Sequence, residues 1–292
     1  MPLVTSPLRY PGGKVCLLEP VSRILRLNKL ERGHYAEPYA GGCGLALALL
    51  FDGHVSDIHV NDIDLPIWSF WNVVLNQTKE FVELMERTPV TLPQWRKQRR
   101  ILRESTDKME LGFAAFFLNR TNRSGIIKNA GVIGGREQNG DYTIDCRFNK
   151  EELARRIRRV RKYRSQIHLH RKDALKFIDH VEKNLPPRSF LCIDPPYFHK
   201  GSSLYTSFYQ RADHETLADR ILDLDMPWML TYDYCDEIHE LYTDRRQFQF
   251  ALNYSVQNKR KGTELLIASK GLRIPDELRD SQVHRPQYRT AA

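Results

Sequence analysis

Along this chain short apolar runs alternate with longer stretches of helical periodicity, the arrangement a parallel sheet with crossover helices requires. His34–Pro38 (HYAEP) reads as a short strand ending at a glycine-rich turn, AGGCG, and Leu45–Phe51 starts a helix. Asp57–Asn61 (DIHVN) reads as a second strand, followed by Asp62 and a helix through Trp68, Trp71 and Leu75. Phe190–Ile193 is an apolar strand that stops at Asp194-Pro195-Pro196-Tyr197. Trp228–Tyr232 and Leu265–Ser269 are later strands, with helices between them starting near Asp213 and Cys235. The expected class is α/β.

The middle of the chain breaks the alternation. From about Gln77 to Arg164 the pattern is helical, then glycine-rich, then basic. Gln94–Arg103 carries Arg96, Lys97, Arg99, Arg100 and Arg103. Ser124–Cys146, with pieces such as GVIGG and DYTID, reads as a hairpin or an irregular loop. Arg147–Arg164 holds nine basic residues against Glu151 and Glu152, a local surplus of +7. Residues 77–164 are therefore expected as an insert into a sheet domain made of 1–76 and 165–279. The polar stretch 280–292 is expected to fray.

Charge sharpens this picture. The 292 residues carry a formal net charge of +9, which favours an anionic partner, nucleic acid first. No stretch approaches the ~20 apolar residues of a membrane span, and the start, MPLVTSPLRYPGGK, lacks the apolar core of a secretory signal. The five cysteines are odd in number and dispersed, without zinc-site spacing. A reducing cytoplasm fits, and no metal is implied. Disorder, collagen, coiled coil and membrane insertion are excluded as descriptions of the whole chain.

Three strings carry candidate chemistry. In Asp194-Pro195-Pro196-Tyr197 two prolines end the strand in a stiff loop. That loop would hold a carboxylate, a main-chain carbonyl and a phenol at the sheet edge where open α/β folds bind ligands. The bland alternative is a strand-terminating turn. Glu37-Pro38-Tyr39-Ala40-Gly41-Gly42-Cys43-Gly44 sits between strand and helix, where glycines let the backbone approach a ligand. It has neither the phosphate-loop nor the dinucleotide spacing. Asp62, at the end of the next strand, suits ribose hydroxyls, or else caps the helix beginning near Asp64. Arg9-Tyr10-Pro11-Gly12-Gly13-Lys14 combines an aromatic, a turn and a cation, and alone reads as a plain turn.

The strings LRYPGGK, AEPYAGGCG, NDID, DPPY and KGTELLIAS, in that order, resemble the Dam-type DNA adenine methyltransferases (D12 class, alpha group), which use S-adenosylmethionine. The resemblance runs from about Leu8 to Ser269, and NRTNRSG, Asn119 to Gly125, is similar to the family's target-recognition hairpin. It implies a Rossmann-like mixed sheet with an inserted helical and β-hairpin target-recognition domain. It also implies roles. Tyr10 and Lys14 line the methyl-donor pocket; Glu37, Pro38, Ala40, Gly41, Gly42 and Gly44 wrap the donor; Asp62 holds its ribose; Asp173 approaches its adenine. Asp194 and the Pro195 carbonyl accept hydrogen bonds from the target amino group, Pro196 stiffens the turn, and Tyr197 stacks on an extruded base. Arg120, Asn122, Arg123 and Lys128 are the candidate DNA contacts. Lys128 stands where the resemblance leads one to expect an Arg, so GATC specificity is not carried over.

The implied reaction is N6 methylation of adenine in a specific double-stranded DNA sequence, by base flipping and direct in-line transfer without metal. Cytosine-N4 or RNA as target, and a catalytically silent DNA-binding module, are the alternatives. Such a protein would be cytoplasmic, bacterial or phage-encoded, with a monomer and a cognate restriction nuclease both compatible. Other strings read as structural. Asp213-His214-Glu215 reads as a helix start with Asp213 at the N-cap. His168 and His170 show no partner carboxylate at readable spacing, and Trp68 and Trp71 read as core. Thr231-Tyr232-Asp233 ends a strand that would border the target pocket.

Overall fold

The computed structural model describes residues 5–9, 13–199, 209–253, 261–279 and 281–286. Five strands form a parallel array: β1 (His34–Glu37), β2 (Asp57–Asn61), β3 (Ile167–His170), β4 (Ser189–Ile193) and β5 (Trp228–Asp233). Antiparallel β6 (Arg246–Asn253), β7 (Lys261–Ala268) and β8 (Gln282–His284) extend it, in the order β3-β2-β1-β4-β5-β7-β6-β8. This is a Rossmann-like mixed α/β sheet. Tyr35 of β1 pairs with Ile58 on one side and Phe190 on the other, so the strand order reverses at β1. A crevice beyond the carboxyl ends of β1 and β4 follows from that reversal, and ligands of open α/β sheets bind in such crevices. β1 ends at Glu37, and Asp194 follows the end of β4.

Local sequence explains the elements around the crevice. β4 (SFLCI) is buried along its whole length, as a parallel strand covered on both faces must be. Helix α1 (Leu18–Leu27) precedes β1. Helix α2 (Gly44–Phe51) is apolar all round and buried from Leu45 to Phe51. Helix α3 (Leu65–Asn76) starts at Asp64, whose side chain accepts the Ile67 amide, with Pro66 in its first turn. Asp64, rather than Asp62, is thus the cap.

The middle region continues this helical layer. Helices α4 (Thr78–Arg87), α5 (Leu92–Glu104), α6 (Lys108–Thr121) and α7 (Lys150–Lys162) follow, and Thr91, Asp107 and Asn149 cap the last three. Phe113, Phe116, Phe117, Phe148 and Leu153 belong to one apolar core with Phe70 and Trp71 of α3. Phe70 and Phe116 stack with ring centroids 5.7 Å apart. Gly112 makes that approach possible: a Cβ there would lie 2.9 Å from Phe70 backbone atoms.

Several expectations are resolved or changed. Of the two readings of Ser124–Cys146 the irregular loop holds and the hairpin does not: among the described residues its one bridge joins Asn122 to Val132. Positive φ at Ser124, Gly125, Asn129, Gly134, Gly135 and Gln138 prevents extended pairing. The Gln138 side chain instead ties the loop, donating to the Ile133 and Gly135 carbonyls and accepting from the Ile144 amide. Part of the stretch expected to fray forms β8, an edge strand on β6, since three residues suffice to pair with Gln247 and Phe248. In α9 (Arg211–Leu222) Asp213 is not the N-cap; Gln210 is, and the two close a reciprocal capping box.

His168 does have a carboxylate partner: its Nε2 lies 2.8 Å from Asp57 Oδ1 on the adjacent strand. It belongs to a row of imidazoles across the parallel strands. His34 Nδ1 lies 2.9 Å from His59 Nε2, and the His59 and His168 rings stack 4.4 Å apart. Burial pushes the His59 imidazole down to about 3, helped by neighbouring histidines, and His170 down to about 4.

Two outcomes follow. Gly112→Ala destabilises the protein by about 1–3 kcal/mol despite the better helix propensity, because the methyl meets backbone rather than a yielding side chain; chemical denaturation measures it, and a stabilised variant contradicts it. Imidazoles held neutral favour the unfolded chain once it can protonate. Stability is full above the ordinary histidine pKa of about 6.5 and declines as pH falls toward 4. Denaturation midpoints between pH 7 and 5 record the decline, and His59→Gln flattens it.

Candidate active site

Four segments distant in sequence meet at the carboxyl end of β4. Pro195 and Pro196 are buried and hold the turn, leaving the Asp194 carboxylate partly exposed. Asp194 Oδ1 accepts a 2.8 Å hydrogen bond from Thr231 Oγ1 of β5 and lies 3.2 Å from Lys14 Nζ. Lys14 opens a short 3₁₀ turn, Lys14–Leu17, and is itself buried. Its ammonium also lies 2.9 Å from Glu264 Oε2, on β7, and donates to the Tyr197 hydroxyl at 3.3 Å. Tyr197 in turn donates to Glu264 Oε1 at 2.7 Å. Downstream, Phe198 donates its amide to Asp233 Oδ1 at 3.3 Å.

Electrostatics follows from this packing. Burial pushes the Asp194 carboxyl up, and the Lys14 ammonium pulls it back down. Thr231 and Lys14 both meet Oδ1. Among the described residues Oδ2 takes no hydrogen bond, so one oxygen of a fixed carboxylate is open to a donor.

The glycine-rich turn forms the second wall. Gly41 and Cys43 adopt left-handed backbone, φ 45° and 48°. Asp62 anchors the turn: Oδ2 accepts the Gly41 amide and Oδ1 the Asp64 amide, both at 2.9 Å. Trp71 Nε1 donates to the Gly41 carbonyl at 2.9 Å. Buried Asn61 donates to the Pro38 and Lys172 carbonyls, and its own carbonyl accepts the Ala40 amide. At Gly44 a Cβ would lie 2.6 Å from Val15 Cγ2, so the Lys14 turn seats directly on the start of α2. Gly42 is buried within the same turn.

The acids of this wall resist ionisation. Burial pushes Glu37 up to about 8, with the Asp194 charge adding and the 2.8 Å hydrogen bond from Tyr35 opposing. Burial and the neighbouring Asp64 push Asp62 up to about 7, against its two amide donors and Lys128. Carboxyls destabilised in this way complement a ligand that brings positive charge.

Other candidate residues fall elsewhere. Tyr10 lies outside the described residues. Asp173 is an exposed cap: it accepts the Leu175 and Lys176 amides at the start of α8 (Ala174–Asn184). Arg120 is buried and donates Nε to the Arg147 carbonyl at 2.7 Å; burial and nearby arginines lower its pKa to about 9. Asn122 is buried too, accepting from Trp95 Nε1 at 2.7 Å and donating to the Ile126 and Ile127 carbonyls. Both shape the loop from within. Arg123 is exposed, and Lys128 pairs with Asp64 at 3.2 Å. Glu264 and Thr231 complete the site. Glu264 lies inside the string KGTELLIAS, where an acid beside a continuous apolar run is the available signal.

Residues 10–260 match the family described as D12 class N6 adenine-specific DNA methyltransferase. No curated protein matches the chain in sequence. Among solved structures, a Pyrococcus horikoshii protein assigned as an RNA methyltransferase is similar at TM-score 0.41 and 10% identity, covering 89% of this chain and 84% of that one. A SAM-dependent methyltransferase from Agrobacterium tumefaciens is similar at TM-score 0.39 and 12% identity, covering 88% of this chain and 61% of that one.

Asp62→Ala leaves the Gly41 and Asp64 amides without their acceptor and loosens the glycine turn. The expected loss is about 1–3 kcal/mol in denaturant unfolding. Unchanged stability would mean that Asp62 does not hold the turn.

Proposed function

The chain belongs to the D12 class N6 adenine-specific DNA methyltransferase family, with a match over residues 10–260, and on that premise we propose that it methylates adenine N6 in double-stranded DNA as a Dam-type enzyme, with Asp194 gripping the target amine. S-adenosylmethionine is the methyl donor. The observation that carries the reading is the partly exposed Asp194 carboxylate, fixed by Thr231 and Lys14 with Oδ2 open at the sheet edge.

Bound donor supplies a methyl group on a sulfonium, which the buried acids favour. Glu37 and Asp62 are carboxyls whose ionisation burial penalises, so a cation relieves them. The glycine turn admits a ligand close to its backbone, and Asp62 stands at its edge to accept ribose hydroxyls. Adenine's amino nitrogen is a poor nucleophile because its lone pair is delocalised into the ring. Asp194 Oδ2 and the Pro195 carbonyl accept its two hydrogens and favour a pyramidal nitrogen with the lone pair turned toward the methyl carbon. The N–C bond forms as the C–S bond breaks, the pair returning to sulfur, and the amine then loses one proton. Positioning and charge do most of the work, so no strong base is needed.

Extruding the base costs a few kcal/mol. Tyr197, its hydroxyl locked to Glu264, offers an oriented ring as one wall of the base pocket. For DNA, exposed charge matters more than total charge. Arg96, Lys97, Arg100 and Arg103 are exposed on α5, and Arg123 is exposed beyond α6. Much of α7 is engaged within the molecule: Arg156 reaches Glu152 and the Ser6 carbonyl, Arg161 the Leu75 carbonyl, and Arg159 lies 4.2 Å from the Phe51 ring centroid. The phosphate-binding face is therefore the outer side of α5 with Arg123, and residues 77–164 serve as the recognition region.

A labelled-methyl assay on unmethylated DNA, followed by nucleoside analysis, tests the reading. It yields N6-methyladenine, and Asp194→Ala abolishes transfer while donor binding persists; N4-methylcytosine, RNA labelling or no label would overturn it. Replacing Arg96, Lys97 and Arg100 with Ala weakens DNA binding and lowers the salt slope by about 1 for each phosphate that is no longer neutralised. An unchanged slope contradicts the α5 face. Deprotonation of Glu37 and Asp62 strengthens the cleft's hold on a sulfonium, so S-adenosylmethionine gains affinity relative to the neutral thioether product as pH rises from 6 to 8. Calorimetric titration of both ligands across that range measures the gain.

A further inference from the structure

Three metal-ligating side chains converge beside the loop that follows Asp194. His199 lies two residues beyond Tyr197, while Cys235 is the N-cap of helix α10 (Asp236–Leu241), just after β5, and Glu237 lies in its first turn. One ligand atom from each, an imidazole nitrogen, a sulfur and a carboxylate oxygen, lies within 4.8 Å of the other two. His199 Nε2 and Glu237 Oε1 are 3.4 Å apart. Two such donors, each about 2.1 Å from a tetrahedral ion, also stand about 3.4 Å apart. The His199–Glu237 pair thus has the spacing of two ligands around a common centre, and the Cys235 sulfur stands close enough to join them.

We propose that His199, Cys235 and Glu237 form a binding site for a zinc-class ion, which ties the segment after Asp194-Pro195-Pro196-Tyr197 to the start of α10. A thiolate with an imidazole and a carboxylate suits zinc, cobalt or cadmium rather than the hard cations magnesium and calcium. The buried Cys235 sulfur supplies the inner ligand, and the exposed His199 gives the ion a route in from solvent. Binding replaces the thiol proton, which leaves to solvent, and water fills the fourth position. The ion would reinforce the existing tie from the Phe198 amide to Asp233. None of its three ligands takes part in the adenine reaction proposed above.

Cobalt(II) titrated into the full chain reads the site directly. The expected result is one ion per chain with a near-ultraviolet thiolate-to-cobalt band, displaced by zinc. Cys235→Ser removes the band, although exposed Cys16 and Cys146 remain. His199→Asn, at an exposed position that leaves folding intact, weakens zinc binding about tenfold or more by calorimetry. Glu237→Gln weakens it as well. A band that survives Cys235→Ser, or zinc affinity unchanged in His199→Asn, overturns the proposal whether or not the protein methylates DNA.

Discussion

A buried ammonium between two carboxylates organises the functional end of this molecule. Taking such ions out of water costs several kcal/mol each, which only close pairing offsets. Lys14 meets that demand at 3.2 Å from Asp194 and 2.9 Å from Glu264. The pairing spans the chain, joining a turn near the start to the end of β4 and to β7. It also reaches the glycine wall, because Gly44 leaves room for Val15 and so seats the Lys14 turn on α2. The carboxylate proposed to face the target and the turn proposed to wrap the donor are thus parts of one packed unit.

The region between β2 and β3 obeys the same logic of burial. Its helices share aromatic contacts with α3, so this region, proposed above to serve recognition, rests on the sheet's own helical layer rather than on a hinge. Burial also sorts its cations. Arg120 and Arg156 hold loop and terminus from within, while Arg96, Lys97, Arg100 and Arg103 of α5 face outward. Net charge alone treats these as equal; their surroundings do not.

Much of the fold is legible in the chain because periodicity reports burial. β1, β2, β4 and β5 stand where apolar runs end at Gly, Asp or Pro, and Asp194 stands where two prolines demand a stop. Partners supplied from across the sheet are not legible. Glu264 reads as one acid in a strand until Lys14 is placed beside it, and Asp57 meets His168 only through strand pairing. Arg120 and Asn122 have chemistry suited to DNA, but that chemistry serves equally well to satisfy buried carbonyls and an indole. The middle loop looks like a hairpin because alternation is visible in sequence, whereas left-handed backbone at Ser124, Asn129 and Gln138 is not.

The proposed grip on the target amine requires that Lys14 hold the Asp194 carboxyl ionised against burial. Titration of the Asp194 carboxyl by carbon-detected NMR, in the wild type and in Lys14→Met, measures this directly. The expected result is a higher Asp194 pKa in the variant, because desolvation then acts without its counter-charge. An Asp194 that titrates identically in both proteins would contradict it.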